Sequence, residues 1–112
     1  MHKMNTIYVA VLALAGLLVS SPAWAAENPG AVLAKEKNCL ACHSVKTKIV
    51  GPAFRDVAAK YSGQNQKQVL DLLVSRTING SQGVWGDIPM PGQTQVNQKE
   101  ATTIVQWILS LK

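Results

Sequence analysis

The chain opens on an unbroken apolar run and then settles into a helical rhythm. Ile7 to Val19 is almost wholly apolar, interrupted only by Tyr8 and Gly16. Farther on, apolar residues recur three and four positions apart, the spacing of one face of a helix. Asn28-Pro29 is an N-cap followed by proline at the first helical position. Behind it Val32, Leu33, Glu36, Lys37 and Leu40 sit at helical spacings, which predicts a helix running to about Cys39 or Cys42. Gly51-Pro52 breaks the chain. Phe54, Val57, Ala58 and Tyr61 then predict a short second helix, ended by Ser62-Gly63. Asn65 caps a third, with Val69, Leu70, Leu72, Leu73 and Ile78 on a broad apolar face and Asn79-Gly80 as its stop. Asn97 with Glu100 three residues later is a capping pattern. The last helix carries Ile104, Trp107, Ile108 and Leu111 on one face, with Val105 beside it. No strand pattern, internal repeat or low-complexity tract is evident, and an all-helical single domain follows.

The opening run has a different meaning. Met1-His2-Lys3 supplies a positive charge ahead of it, Ser20-Ser21-Pro22 ends it, and Ala23-Trp24-Ala25 is a small-x-small cleavage signature. Together these read as a secretory signal peptide over residues 1–25, cut after Ala25, with Ala26 as the alternative. The apolar run is too short to cross the ~30 Å of a bilayer's hydrocarbon, which disfavours a membrane anchor. Of 112 residues, 87 then remain, and residues 26–112 form one domain. A chain of that size rarely completes a core without a staple or a cofactor. Its two cysteines, Cys39 and Cys42, are too close together for a disulfide to close a useful loop.

Charge narrows the class of partner. The net charge of +5 becomes +4 once Lys3 leaves with the signal peptide. A modest positive charge on a short chain suits steering toward acidic protein partners. The basic residues stand singly or in pairs without interleaved aromatics, which argues against nucleic acid. Between Gly80 and Gly92 runs a long loop rich in Gly and Pro, a kind of segment that is usually functional in a small domain.

The chemistry centres on Cys39-Leu40-Ala41-Cys42-His43, the C-x-x-C-H pattern of c-type haem attachment. Two thiols at this spacing can reach the two vinyl groups of one porphyrin. His43, next to the second, is then held under the iron as proximal ligand. A redox dithiol would need a βαβ framework that the pattern lacks. A zinc site would need four ligands, and the exported chain offers two Cys and one His. Free exposed thiols are also a hazard in an oxidising compartment, so a chance occurrence is disfavoured.

The sixth ligand follows by elimination. Met1, His2 and Met4 leave with the signal peptide, so the exported chain holds one His, His43, and one Met, Met90. Met90 lies in Ile88-Pro89-Met90-Pro91, where two prolines stiffen the loop. Met90 is therefore expected to ligate the iron, with a lysine as the residual alternative and ordinary core packing as the role Met90 would have without the haem motif. Ligation by His and Met favours ferrous iron and raises the potential. It fills both axial positions, which points to electron transfer over catalysis. A haem peroxidase or gas sensor would need an open or easily vacated iron, and a subunit of a larger complex is the third alternative.

With these elements in place, the chain resembles the small bacterial class I cytochromes c of the cytochrome c-551/c-552 type over nearly all of residues 26–112. The resemblance rests on Cys39 to His43, on Val50-Gly51-Pro52-Ala53-Phe54-Arg55-Asp56-Val57-Ala58-Ala59-Lys60, on Asn79-Gly80-Ser81-Gln82-Gly83-Val84-Trp85-Gly86 and on Ile88 to Pro91. It implies about four helices around one covalent haem c. It implies that the Pro52 carbonyl accepts the other ring N–H of His43, and that Trp85 and Arg76 hydrogen-bond a buried haem propionate. It implies a monomeric electron carrier, not an enzyme, in the periplasm. A membrane quinol-oxidising complex would be its donor, and a nitrite reductase, terminal oxidase or cytochrome c peroxidase its acceptor. Lys35, Lys37, Lys46 and Lys48, near the attachment motif in sequence, are expected around an exposed haem edge. One departure stands out. The family often has Pro-Met-Pro-Pro-Asn, whereas this chain has Pro89-Met90-Pro91-Gly92-Gln93. Gln93 is longer than Asn and follows a flexible glycine, so Met90 is expected to be held less rigidly than in relatives carrying Asn.

Overall fold

The computed structural model describes residues 15–18 and 27–112. The signal peptide expected over residues 1–25 lies, apart from residues 15–18, outside that range. Four helices carry the domain: α1 (Pro29–Glu36), α2 (Phe54–Lys60), α3 (Gln66–Asn79) and α4 (Gln98–Leu109). Three of them start on asparagine side chains that satisfy otherwise unpaired amides of the first turn. Asn28 Oδ1 accepts from the Gly30 amide at 2.8 Å. Asn65 Oδ1 accepts from the Gln68 amide at 3.1 Å. Asn97 and Glu100 form a reciprocal capping box at 2.8 and 3.1 Å. Gly80, at φ 86°, takes the backbone out of α3 in a conformation suited to glycine.

Two expectations need correcting. α1 ends at Glu36, not at Cys39 or Cys42. Asn38 adopts φ 67°, left-handed backbone that asparagine tolerates better than most residues, and a 3₁₀ turn over Cys39–Ala41 starts anew beyond it. A short antiparallel ladder also forms where no strand was expected. β1 (Gly80–Ser81) pairs with β2 (Met90–Pro91), Gly80 opposite Pro91 and Ser81 opposite Met90. Strands of two residues are too short to show any period of two in the sequence.

α4 is the hub. Among the described residues it packs on α1, α2 and α3, while those three do not pack on one another. Its Ile104, Val105 and Ile108 are buried in one cluster with Phe54 and Val57 of α2 and Val69 and Val74 of α3. The buried face of α1 is formed by small residues, Gly30 and Ala34, and not by the larger Val32 and Leu33. The reason is proximity. A Cβ on Gly30 would run into the Trp107 side chain and come within 2.6 Å of the Thr103 carbonyl. Trp107 in turn meets Phe54 edge to face, with centroids 5.5 Å apart.

Candidate functional site

The 3₁₀ turn places Cys39 and Cys42 on one short stretch of backbone, with the Cys42 and His43 amides both donating to the Cys39 carbonyl at 3.2 and 3.0 Å. Cys39 is partly buried and Cys42 exposed, and the two are not joined to each other. Burial pushes the Cys39 thiol above its usual range, with a backbone hydrogen bond pulling the other way. At neutral pH it is therefore the thiol that is held in place.

His43 sits in a narrow slot. Its Nδ1 lies 2.8 Å from the Pro52 carbonyl oxygen. One wall is Phe54, stacked on the imidazole at 4.8 Å between centroids and 19° between planes. Gly51 bounds the ring too, since a Cβ there would lie 2.5 Å from its Cε1. The Gly51 amide donates to the Cys42 carbonyl at 2.7 Å, which draws the Gly51-Pro52 turn onto the cysteine segment. A carbonyl can only accept, so Nδ1 carries the ring proton and Nε2 keeps a free lone pair. A protonated Nδ1 backed by a carbonyl fixes both the tautomer and the heading of the ring, the usual arrangement behind a metal-binding imidazole.

Met90 is carried by β2, far along the chain, and half-buried. The ladder to β1 holds it close to the end of α3, where a Cβ on Gly80 would lie 2.7 Å from the Met90 carbonyl. Arg76, on the last turns of α3, donates from Nη1 to the Tyr61 hydroxyl at 2.7 Å. Trp85 is 38 % exposed, and the Lys60 ammonium lies 5.1 Å from its ring centroid. Of the lysines expected near the site, Lys37 is committed elsewhere, paired with Glu100 at 2.9 Å. That pairing, reinforced by the Asn97 amide, holds the Glu100 carboxyl below its ordinary range.

The exposed apolar side chains bear on which group the residues here would suit. Leaving aside Leu17 and Leu18 of the expected signal peptide, six large hydrophobic residues, Leu40, Ile49, Val50, Leu72, Trp85 and Ile88, are exposed, Ile88 to 66 %. All lie between the cysteine motif and Met90, and none comes from α1 or α4. Covering part of this exposed apolar area with an apolar group would be favourable at about 25 cal/mol per Å². A porphyrin is large, flat and apolar apart from its propionates, and thiols, imidazole and thioether are the donor set it would meet here. The residues present therefore fit haem c. Among the described residues no group of three or more His, Cys, Asp or Glu side chains is placed to hold a metal ion. No helix among them is long and apolar enough to cross a membrane.

Comparison with known proteins agrees with this geometry. The family model for cytochrome c matches residues 28–112. The chain belongs to the cytochrome c family. It is 52 % identical to cytochrome c-551 of Pseudomonas aeruginosa over 97 residues, covering 87 % of this chain and 88 % of that protein. It is 43 % identical to cytochrome c-552 of Nitrosomonas europaea over 109 residues, covering 97 % of this chain and all of that protein. The crystal structure of wild-type Nitrosomonas europaea cytochrome c552 superposes with a TM-score of 0.69 at 48 % identity, covering 73 % of this chain and 99 % of that one. The expected all-helical class I cytochrome c fold is thus the fold of this chain. Members of the family carry covalent haem c and transfer electrons, and they are carriers, not enzymes.

Sequence reasoning singled out the cysteine, histidine and methionine positions as candidates from their types and spacing. It missed Phe54 as a wall of the imidazole slot, and Tyr61 as the partner of Arg76. Both had been read only as core residues of α2, because an apolar helical period does not distinguish packing against protein from packing against a ligand. It also missed Gln95, whose side chain reaches a carbonyl 58 residues away.

Proposed function

We propose that the protein is a periplasmic one-electron carrier whose single haem c is attached through Cys39 and Cys42 and ligated axially by His43 and Met90. The observation that carries this reading is the 2.8 Å contact between His43 Nδ1 and the Pro52 carbonyl, beside the two cysteines. It leaves Nε2 as the only ring nitrogen able to bind iron. When bound, the haem supplies one iron that alternates between ferrous and ferric states.

The chain's own residues set the terms of that exchange. Pro52 orients His43 and raises its basicity through the shared proton. Phe54 and Gly51 keep the ring from swivelling. Met90, the one methionine beyond residue 25, offers a soft sulfur that favours the reduced state. With both axial positions taken by side chains, no position is left for peroxide or a gas, which favours a shuttle over a peroxidase or sensor. Arg76 has further N–H groups beyond the one used on Tyr61, and Trp85 has its indole N–H. Both are assigned to a haem propionate.

Residues 1–25 are assigned to a signal peptide cut after Ala25, with Ala26 as the alternative. They deliver residues 26–112 to the periplasm as a monomer. The donor is proposed to be a membrane quinol-oxidising complex. The acceptor is proposed to be a nitrite reductase, terminal oxidase or cytochrome c peroxidase. The net positive charge of the exported chain would steer it toward acidic surfaces on these partners.

Two measurements test the reading. The ferric protein is expected to show the weak far-red band of an iron–thioether bond, lost in Met90→Ala, and its absence from the wild type would refute the ligation. Stopped-flow oxidation of the reduced protein by candidate acceptors is expected to slow steeply with salt. A salt-independent rate with every acceptor would remove the steering.

A further inference from the structure

The segment that follows Met90 is tied to the segment that precedes Cys39 by a chain of side-chain amides. Gln93 Nε2 donates to the Pro91 carbonyl at 2.7 Å. Gln95 Nε2 donates to Gln93 Oε1 at 2.8 Å and to the Lys37 carbonyl at 2.9 Å. The carbonyls at the two ends fix the direction of this chain. Both must accept, so each glutamine must present nitrogen to its carbonyl, and that leaves the Gln93 oxygen facing the Gln95 nitrogen. One NH₂ group has two hydrogens, and Gln95 uses both.

Each end of the chain is a meaningful place. Lys37 is the C-cap of α1, whose last carbonyls have no partner within the helix. Two residues later the cysteine motif begins. Pro91 is the immediate neighbour of Met90 and lies in β2. The Gln93 amide also donates to the Thr77 carbonyl near the end of α3 at 2.9 Å. A turn closed by the Val96 amide on the Gln93 carbonyl at 3.2 Å leads into Val96, which is buried. The loop carrying Met90 is thus moored to α3 on one side through backbone alone. On the other side it is moored to α1 through Gln95. Among the side-chain hydrogen bonds and ion pairs of the described residues, only the Lys37–Glu100 pair spans more sequence.

We infer that Gln95 is a positioning residue that clasps the Met90 loop to the cysteine–histidine segment and so holds the two axial ligands on opposite sides of one haem. The inference rests on the reading of Met90 as sixth ligand. It acts against the flexibility that Gly92 introduces. Gln93 turns its side-chain NH₂ toward the Pro91 carbonyl, and Gln95 holds Gln93 in that position.

The test uses ferric holoprotein titrated with imidazole, followed by loss of the far-red iron–thioether band. Imidazole can bind only when the Met90 loop has swung away, so its apparent affinity reports the population of the open loop. Removing the two hydrogen bonds of Gln95 from an exposed site is expected to raise that affinity about three- to tenfold. Two variants separate causes: Gln95→Leu keeps the bulk without donors, and Gln95→Ala removes both. Tighter imidazole binding in both variants supports the clasp. Unchanged binding in both overturns it while leaving the Met90 ligation standing. A shift in Gln95→Ala alone means that contact, not hydrogen bonding, holds the loop, and overturns it as well. A wild type without the far-red band sinks the ligation and the clasp together.

Discussion

The contact between α1 and α4 and the stretch from Cys39 to Met90 are built on opposite plans. The first is a close contact of protein with protein. Gly30 and Ala34 let α1 approach α4 closely, Trp107 lies against Gly30, and no large hydrophobic residue of either helix is exposed. The second is incomplete. Its helices are regular, although α2 lacks a side-chain cap, yet six of its large apolar side chains are exposed. Regular backbone is therefore no sign of a finished core. One half of the molecule is stabilised by packing against itself, and the other carries apolar side chains that a flat apolar group would cover.

The largest expected effect tests the incomplete half. In the double variant Cys39→Ala/Cys42→Ala, haem is no longer attached. Most of the ~5–15 kcal/mol typical of a folded domain should then be lost. Circular dichroism should show no cooperative melt, and a sharp transition near that of the holoprotein would mean that the outward apolar residues need no partner. A smaller effect is expected in the finished half. Gly30→Ala gains up to about 1 kcal/mol of helix propensity but forces α1 away from Trp107. A net loss of about 1–3 kcal/mol in denaturant unfolding, with an unchanged visible spectrum, is expected. A stabilised variant would show that the approach of the two helices is not tight.

The smallest effect lies at the seam, where Lys37 of the α1 end pairs with Glu100 of α4. The Glu100 carboxyl is held below its ordinary value by Lys37 and the Asn97 amide. A depressed carboxyl binds its proton later in the folded than in the unfolded chain. Its stabilisation is thus fully present above the ordinary glutamate range and fades as pH falls through the lowered folded value. The melting temperature of wild type should exceed that of Glu100→Gln at neutral pH and converge with it in acid. A gap that stays constant with pH would assign the difference to the capping box alone.

What the sequence disclosed divides along the same line. The helices were legible because their signals are local. Asn28, Asn65 and Asn97 all cap where expected, and Phe54, Val57, Ala58 and Tyr61 are all buried. The early end of α1 was legible in principle, since Asn38 is a residue that tolerates left-handed backbone, but the apolar spacing through Leu40 masked it. Cys39, Cys42, His43 and Met90 stood out by residue type and scarcity. The contacts that position them did not. The stacking of Phe54 on His43, the bond from Arg76 to Tyr61 and the reach of Gln95 to Lys37 depend on segments brought together only by folding. No periodicity or spacing encodes them.

The meeting of α1 with α4 also imposes an order of events. These helices come from opposite ends of the described chain, so a polypeptide emerging amino-terminus first cannot form their contact until nearly all of it has been released. The cysteine segment precedes that contact in the chain, and Cys42 is still exposed after α4 has docked, so completing the helical scaffold does not bury the second thiol.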